Sequence, residues 1–222
     1  ASSNSFYSSH HLCTGEGGMV VSDDAEYMKI ARSIAWWGRD CTCVGKANLL
    51  SDGSCGERFK KWLPEYDEVI DHRYVFTQMG FNLKPLDLQG AIGSVQLTRF
   101  DEIHERRRAS YARISKILRE HLDVSVPDAL PKAETSWFGV PLVCKSKEQK
   151  QRLVRHFEEA KIQTRNYFAG NLLMQPGYRH LGDYRQFPNA NKVLDQVFFI
   201  GAAPHYNEAV FQYIESVVKK LA

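Results

Sequence analysis

Residues 5–18 have the sequence SFYSSHHLCTGEGG, and this stretch is the most informative part of the chain about its fold. It begins within a short β-prone run at residues 3–7 and ends on a second such run at residues 18–22, with a polar, glycine-bearing turn between them. Short runs of this kind, bounded by turn residues, predict strands. We therefore expect two strands of a larger sheet that form the tail of a domain.

Two adjacent histidines, His10 and His11, follow the first of these runs. Histidine titrates near neutral pH, so the pair could transfer protons, bind a metal or only cap the loop. Three glycines in the turn permit a sharp reversal and a close approach to another group: Gly15, Gly17 and Gly18. By themselves, these residues leave all three roles open.

The chain that follows predicts one helix, a long irregular segment and a second, longer helix. Apolar positions in residues 24–36 fit a helix, with an aspartate available as its N-cap. Residues 38–71 have no sustained periodicity and exceed the usual length of a structureless loop, which is typical of a functional segment. From Pro85 to about residue 121 the apolar spacing is helical, with or without a break.

In the last third of the chain, strands and helices alternate. Residues 137–144 and 162–168 predict strands, and residues 147–160 and 207–221 predict helices. A small sheet with helices on one side is typical of an α+β domain. We therefore expect such a domain, attached through the long helix.

The composition excludes two classes of protein. A net charge of +3, with acidic and basic residues nearly balanced, gives no basic stripe of the kind that nucleic-acid binding needs. The longest apolar stretches, such as residues 193–203, are interrupted by polar residues and fall short of the roughly 20 residues of a membrane-spanning helix. We expect neither nucleic acid nor a membrane as a partner, and the first residues do not resemble a secretory signal.

The five cysteines and the first residue are informative about the cellular compartment of the protein and about its N-terminal extent. An odd number of cysteines, with Cys41 and Cys43 one residue apart, does not form an evident disulfide framework and indicates a reducing compartment. We therefore expect a cytoplasmic protein. The chain begins with Ala1 directly before a predicted strand, so we also expect a further segment to precede it.

The order of residue types in residues 5–18 resembles the sugar aminotransferase superfamily that includes the streptomycin and erythromycin sugar enzymes. That superfamily carries Ser-Phe, a lysine five residues after the serine, and then Gly-Glu-Gly-Gly. Ser5, Phe6 and residues 15–18 match this pattern, whereas His10 occupies the lysine position. A lysine can form a Schiff base with pyridoxal phosphate, but an imidazole can only transfer protons or stack.

The branch of the superfamily that carries such a histidine consists of nucleotide-sugar 3-dehydratases. These enzymes use pyridoxamine phosphate to remove the 3-hydroxyl of a 4-keto-6-deoxyhexose in deoxysugar biosynthesis, and the cofactor is the electron sink. The resemblance implies that His10 is the catalytic acid and base, that Ser5 binds the cofactor and that Ser9 contacts the substrate. It leaves open whether the nucleotide is GDP or CDP.

A second match covers residues 80–93, GFNLKPLDLQGAIG, which resemble the superfamily's Gly-x-Asn segment and the helix after it. From the residues alone, this is a helix N-terminus in which Asn82 is a turn residue. The resemblance implies that Asn82 reaches across a homodimer interface to the cofactor phosphate of the partner. Amide donors and the start of a helix both suit an anion, so the two interpretations are compatible.

Residues 164–172 resemble the superfamily's segment near the sugar nucleotide. The resemblance implies that Arg165 and Tyr167 bind the substrate, because a planar guanidinium can bond two phosphate oxygens at once. An arginine followed by aromatic residues is equally typical of the surface of an edge strand. The residues themselves leave both interpretations open.

Three cysteines lie in the long irregular segment: Cys41, Cys43 and Cys55. They could bind zinc or an iron–sulfur cluster if a fourth ligand were supplied, or they could be reduced thiols. One enzyme type of the resembled branch holds a two-iron, two-sulfur cluster on a Cys-x-Cys pair and a further cysteine, so the resemblance favours a cluster. Eleven residues separate Cys43 from Cys55, which is more than in that enzyme type.

From Ser5 to the last helix, the resemblance implies an α/β fold like that of aspartate aminotransferase. Residues 1–84 would be the end of the cofactor-binding large domain, and residues 85–222 the linking helix and the small α+β domain. The expected partners are a nucleotide sugar, a second copy of the chain and a reductase where the reaction needs one. Two rival hypotheses are a truncated, non-catalytic subunit that pairs with full-length partners and a metal-binding module organised by the cysteines.

Overall fold

The computed structural model of the chain describes residues 1–41, 58–62, 65 and 69–221. It divides into two compact units, Ala1–Leu97 and Thr98–Ala222. Most of the irregular segment that the sequence predicts at residues 38–71 lies outside the described residues, and so do Cys43 and Cys55.

The first unit begins with a β-hairpin. Strand β1 (Ser2–Ser5) pairs antiparallel with strand β2 (Gly18–Val21), so that Ser2 lies opposite Val21 and Ser5 opposite Gly18. The two predicted strands are confirmed, but β1 ends before Tyr7 because the chain turns there: the Tyr7 amide bonds the Ser5 hydroxyl instead of a neighbouring strand.

Helix α1 (Ala25–Ala35) follows the hairpin and confirms the predicted helix of residues 24–36. Its N-cap is Asp24, whose carboxylate accepts a hydrogen bond from the Tyr27 amide at 3.0 Å. The unit continues with a short antiparallel pair, β3 (Lys61–Trp62) and β4 (Val69–Ile70), and with a 3-10 turn at His72–Tyr74.

Two helices occupy the region where the sequence predicts one long helix. Helix α2 (Asp87–Leu97) ends the first unit, and helix α3 (Phe100–His121) begins the second. The break allowed for in the prediction is therefore real and falls at residues 98 and 99. Leu122 caps the C-terminal end of α3 in extended conformation.

The second unit contains a three-stranded antiparallel sheet in the order β5-β7-β6. Its elements after α3 are β5 (Gly139–Val143), α4 (Lys147–Glu159), β6 (Thr164–Asn166), α5 (Pro188–Gln196), β7 (Val197–Gly201) and α6 (Glu208–Val218). The predicted strands and helices of this region are confirmed, within a few residues at their ends. The central strand β7 and helix α5 are additional.

One face of this sheet packs against the helices to form an apolar core. Leu142 of β5 and Phe198 of β7 are fully buried there, as are Ile114 of α3 and Phe157 of α4. Helix α4 begins at an N-cap, Ser146, whose hydroxyl accepts from the Gln149 amide. The second unit thus has an apolar core of its own.

Among the residues that the structure describes, no helix combines the length and the apolar character needed to cross a membrane.

Candidate functional site

The predicted catalytic residue, His10, lies in a closed loop at residues 6–17, called here the histidine loop. Two backbone hydrogen bonds close its neck. The Phe6 amide donates to the Gly17 carbonyl at 2.9 Å, and the Thr14 amide donates to the Phe6 carbonyl at 3.0 Å. The loop therefore continues the β1–β2 hairpin and holds its two ends together.

A tight turn at Tyr7 brings Ser5 and His10 into the same local structure. The His10 amide donates to the Tyr7 carbonyl at 2.9 Å, and the Tyr7 ring meets the His10 ring edge-on at 6.0 Å between centroids. The Tyr7 amide donates to the Ser5 hydroxyl oxygen at 3.3 Å, so the Ser5 hydrogen can still be donated to another acceptor. His10 is half-buried, and its neighbour Ser9 is exposed.

Thr14 is the buried residue of the histidine loop, with 9% of its surface exposed. Its hydroxyl donates to the Glu16 carbonyl at 2.7 Å. Gly17 has a φ of +147°, and a Cβ there would lie 2.8 Å from the Thr14 hydroxyl oxygen. Only glycine fits this position, because of both its backbone conformation and the adjacent threonine.

Helix α2 contacts the histidine loop through one side of its first turns. The Gln89 side-chain amide donates to the Glu16 carbonyl at 2.6 Å, and its oxygen accepts from the Leu86 amide at 2.8 Å. One turn further along, a Cβ at Gly93 would lie 3.1 Å from the Thr14 methyl group. The helix and the loop therefore meet at a close, partly polar contact.

The segment that carries Asn82 is held by backbone pairing with the end of α1. The Phe81 amide donates to the Ile34 carbonyl at 2.7 Å, and the Leu83 amide donates to the Ala35 carbonyl at 2.9 Å. Asn82 itself forms an isolated antiparallel bridge with Trp36. Asn82 is exposed, so its side-chain amide is accessible to a ligand.

The turn after α1 has an unusual backbone that makes this pairing possible. Trp37 has a φ of 58° and Gly38 a φ of +79°, both in the left-handed region. A Cβ at Gly80 would lie 2.1 Å from the Gly38 nitrogen, so two glycines meet backbone to backbone. The ammonium of Lys84 lies 4.3 Å from the Trp37 ring centroid, as expected of a cation–π contact.

Of the three predicted metal ligands, the structure describes only Cys41, which is half-buried. Nearby, the Asp71 carboxylate accepts hydrogen bonds from Arg73 and Arg58. The bonds from Arg73 hold the pKa of Asp71 well below its usual range, against an opposing effect of desolvation. Asp71 in turn raises the pKa of Arg73, and Cys41 adds a small contribution in the same direction.

Within the described residues, no group of three or more histidine, cysteine or acidic side chains could hold a metal ion. Cys43 and Cys55 lie outside those residues, so the predicted cluster site lies largely outside them as well.

The predicted substrate residues Arg165 and Tyr167 belong to the second unit. Arg165 is exposed on β6, opposite Phe199 of β7. Tyr167 follows the strand, and its half-buried ring lies edge-on to Phe199 at 6.3 Å. Phe168 has a φ of 52° and is 65% exposed, so the chain turns away from β6 at this point with an aromatic ring open to solvent.

The donors of the first unit fit the phosphate of a pyridoxamine or pyridoxal cofactor by their chemistry. The Ser5 hydroxyl retains a hydrogen to donate, and the exposed Asn82 amide has two. Gly17 keeps the loop free of a side chain beside Thr14. An imidazole in the same loop has the chemistry of a general base and acid.

The prediction from sequence missed Gln89 as a member of this region. A glutamine three residues after the N-cap position is a known capping signal, and residues 86–89 fit it, because α2 begins at Asp87. That signal accounts for the bond to Leu86 but not for the bond to Glu16, which joins residues 73 positions apart.

Comparison with known proteins places these residues in a family. Residues 1–221 match the DegT/DnrJ/EryC1/StrS aminotransferase family. The lipopolysaccharide biosynthesis protein RfbH of Salmonella typhimurium is 37% identical over 218 residues, which cover 96% of this chain and 49% of that protein. The dTDP-4-dehydro-2,6-dideoxy-D-glucose 3-dehydratase of Saccharopolyspora spinosa is 32% identical over 224 residues, 98% of this chain and 47% of that protein.

A solved structure agrees with these relatives. E. coli GDP-4-keto-6-deoxy-D-mannose-3-dehydratase with bound hydrated PLP is 25% identical, with a TM-score of 0.74 over 98% of this chain and 54% of that one. The chain thus spans about half the length of the proteins that it matches. The predicted α/β fold of a pyridoxal-phosphate-dependent aminotransferase is confirmed.

Proposed function

The chain belongs to the DegT/DnrJ/EryC1/StrS aminotransferase family, and from this membership we propose that it is part of a nucleotide-sugar 3-dehydratase. The substrate would be a nucleotide-linked 4-keto-6-deoxyhexose in a deoxysugar or cell-surface glycan pathway. The names of relatives support the reaction class: one of them is a 3-dehydratase of a dTDP-linked sugar and another of a GDP-linked sugar. Because those names differ in the nucleotide, we leave the nucleotide open.

The observation that carries the proposal is His10 in the closed histidine loop. It occupies the position of the superfamily's lysine, within a turn whose serine and glycines otherwise match. The loop is closed at its neck by two backbone bonds, and both Ser5 and His10 bond the backbone of Tyr7 within it. An imidazole there can transfer a proton but cannot bind the cofactor covalently as lysine does.

The roles of the side chains follow from their chemistry. When bound, pyridoxamine phosphate supplies an amine that condenses with the 4-keto group and a ring that withdraws electrons. The His10 imidazole would then take a proton from the C4′ carbon and give it to the 3-hydroxyl oxygen, which would leave as water. Ser5 would donate a hydrogen bond from its hydroxyl to the phosphate, and the Asn82 side-chain N–H would donate one to the phosphate bound by a second copy.

Three further residues are proposed contacts of the sugar nucleotide: Ser9, Arg165 and Tyr167. The exposed guanidinium of Arg165 suits a diphosphate, because its donors can bond two oxygens in one plane. Ser9 stands next to His10 and has a hydroxyl that can bond a sugar oxygen. Tyr167 offers an aromatic ring and a phenol at the end of β6.

The proposal also covers the cellular compartment of the protein, its partners and an iron–sulfur cluster. The protein would act in the cytoplasm as a homodimer, because the role of Asn82 requires a second copy, and with a reductase where the reaction needs one. Cys41, Cys43 and Cys55 would be ligands of a two-iron, two-sulfur cluster, as the resemblance to the cluster-holding enzyme type implies, although the gap before Cys55 is longer here. Anaerobic purification followed by iron and sulfide analysis tests the cluster, and an iron-free protein with full dehydratase turnover would contradict it.

The function is tested by incubating the natural full-length protein with pyridoxamine phosphate and 4-keto-6-deoxyhexoses linked to GDP, CDP or dTDP. Mass spectrometry should show loss of the 3-hydroxyl from at least one of them. An amino sugar formed at the expense of an amino donor would indicate an aminotransferase instead. A protein that binds neither cofactor nor sugar but pairs with a full-length relative would support the non-catalytic hypothesis.

A further inference from the structure

Gln89 of helix α2 uses both ends of its side-chain amide to join two segments of the first unit. The amide nitrogen donates to the Glu16 carbonyl in the histidine loop at 2.6 Å, and the amide oxygen accepts from the Leu86 amide at the helix start at 2.8 Å. We propose that Gln89 is a positioning residue that holds the histidine loop in the shape His10 needs for proton transfer. The inference rests on the proposed function and names a residue that acts through His10.

The hydrogen bond from Gln89 reaches the histidine loop one residue before its neck. The Glu16 carbonyl accepts two hydrogen bonds, one from the Thr14 hydroxyl and one from Gln89. The next residue is Gly17, whose carbonyl accepts the neck bond from Phe6. The Glu16–Gly17 peptide, which Gln89 holds, is therefore joined through the Gly17 Cα to the peptide whose carbonyl closes the neck.

Steric contacts alone do not fix the orientation of the Glu16–Gly17 peptide. Gly17 has no side chain and a φ of +147°, and glycine moves between such conformations at little cost. The geometry of the neck must then come from hydrogen bonds. Among the described residues the Glu16 carbonyl has two donors; Thr14 belongs to the loop itself, so it is Gln89 that ties the carbonyl to a separate element.

The same side of α2 also supports the loop by packing. Gln89 and Gly93 are four residues apart and therefore lie on one face of the helix. A Cβ at Gly93 would approach the Thr14 methyl group to 3.1 Å, which shows how closely the helix backbone lies against the buried threonine. Gln89, by its hydrogen bond to Glu16, and Gly93, by its close packing against Thr14, therefore support the same part of the histidine loop.

The amide oxygen of Gln89 links this face of α2 to the segment that carries Asn82. Leu86, whose amide Gln89 caps, lies four residues after Asn82. A single side chain therefore connects the loop of the proposed acid and base with the start of the helix that follows the proposed phosphate ligand. Loss of the Gln89 donor should loosen the loop while the helix cap remains.

The test uses Gln89→Glu, which keeps an acceptor for the Leu86 amide but cannot donate to the Glu16 carbonyl when ionised. Gln96→Glu is the matched control, because it places the same charge on the same helix in a half-buried position. Amide hydrogen exchange without substrate should be about tenfold faster at Phe6 and Thr14 in Gln89→Glu, as for loss of one hydrogen bond, and unchanged in the control. Gln89→Met, uncharged and of similar length, replaces Gln89→Glu if the charge prevents folding.

Kinetics of the natural full-length protein give the second readout. We expect kcat for dehydration to fall about tenfold in Gln89→Glu, with KM for the nucleotide sugar within about twofold, because the donor acts on the proton-transfer loop. Unchanged exchange at Phe6 and Thr14 would overturn the proposal, and so would faster exchange with unchanged kcat. A wild-type protein without dehydratase turnover would refute the proposed function, while the exchange data would still decide whether Gln89 closes the loop.

Discussion

The two units of the chain are stabilised in different ways. In the second unit, the described core consists of fully buried apolar side chains such as Phe157 and Phe198. In the first unit, the buried side chains that the structure describes are polar: Thr14, Ser33 and His72. Helix α2 of the first unit has no buried residue, whereas six residues of α3 are buried.

This difference indicates what each unit is sensitive to. The second unit depends on the volume and shape of its apolar side chains, as close-packed cores do. The described part of the first unit depends on backbone hydrogen bonds and on glycines that let segments approach closely, as at Gly38 and Gly80. The proposed cofactor donors lie in the unit that is held by such polar and backbone contacts.

The largest effect should come from a cavity in the second unit. Phe157→Ala removes a ring that is 0% exposed, and we expect a loss of about 3–5 kcal/mol in the free energy of unfolding. Phe81→Ala in the first unit, where the ring is 63% exposed, is the control and should cost much less. Urea denaturation of both variants measures the difference, and equal losses would refute the contrast between the units.

A smaller effect is expected where two glycines meet in the first unit. Gly80→Ala puts a Cβ 2.1 Å from the Gly38 nitrogen, and the backbone must shift at a cost of about 1–3 kcal/mol. Gly90→Ala in α2 meets nothing within 4 Å and should instead stabilise the helix by up to about 1 kcal/mol. Urea denaturation should show a lower free energy of unfolding for Gly80→Ala and a higher one for Gly90→Ala. An unchanged free energy of unfolding in Gly80→Ala would contradict the close approach of the two glycines.

Asn82→Ala separates ligand binding from stability in the same segment. The segment is held through its backbone, so we expect the free energy of unfolding to stay nearly constant. Loss of one hydrogen bond to a phosphate should weaken cofactor binding by about 1–3 kcal/mol. Calorimetric titration with pyridoxamine phosphate measures this, and unchanged affinity would remove Asn82 from the proposed site.

The smallest effect concerns the ion pairs of Asp71 and appears only in acid. Because Arg73 and Arg58 lower the pKa of Asp71 in the folded state, its stabilising contribution is complete above the ordinary carboxyl pKa and is lost as pH falls below it. The difference in urea midpoint between the wild type and Asp71→Asn should be constant from about pH 7 to 5 and shrink below about pH 4. Asp23→Asn, at an exposed carboxylate, is the control, and a difference that grows in acid would reverse the assigned sign.

Much of the fold could be predicted because its signals are local. Asp24 and Ser146 are capping residues directly before α1 and α4, and the periodicity of both helices agrees with their structure. Strand β7 was not predicted because its four apolar residues, Val197–Ile200, directly follow α5 without a turn residue between them. Pro188 at the first turn of α5 was an available signal.

In the candidate site, too, some features could be predicted from the sequence and others could not. The position of His10 follows from its spacing within residues 5–18, and the structure adds the closed neck. The bond between Gln89 and Glu16 spans 73 residues, and the contact between Gly38 and Gly80 spans 42. Such contacts depend on the tertiary arrangement and leave no periodic pattern in the sequence.

The central claim is that His10 transfers the proton that allows the 3-hydroxyl to leave. The most direct measurement compares 3-dehydration of a nucleotide-linked 4-keto-6-deoxyhexose by the natural full-length protein and by its His10→Lys and His11→Asn variants. His10→Lys should lose release of the 3-hydroxyl and gain covalent attachment of pyridoxal phosphate, fixed by borohydride and seen by mass spectrometry, while His11→Asn retains turnover. Dehydration that continues in His10→Lys would contradict the account.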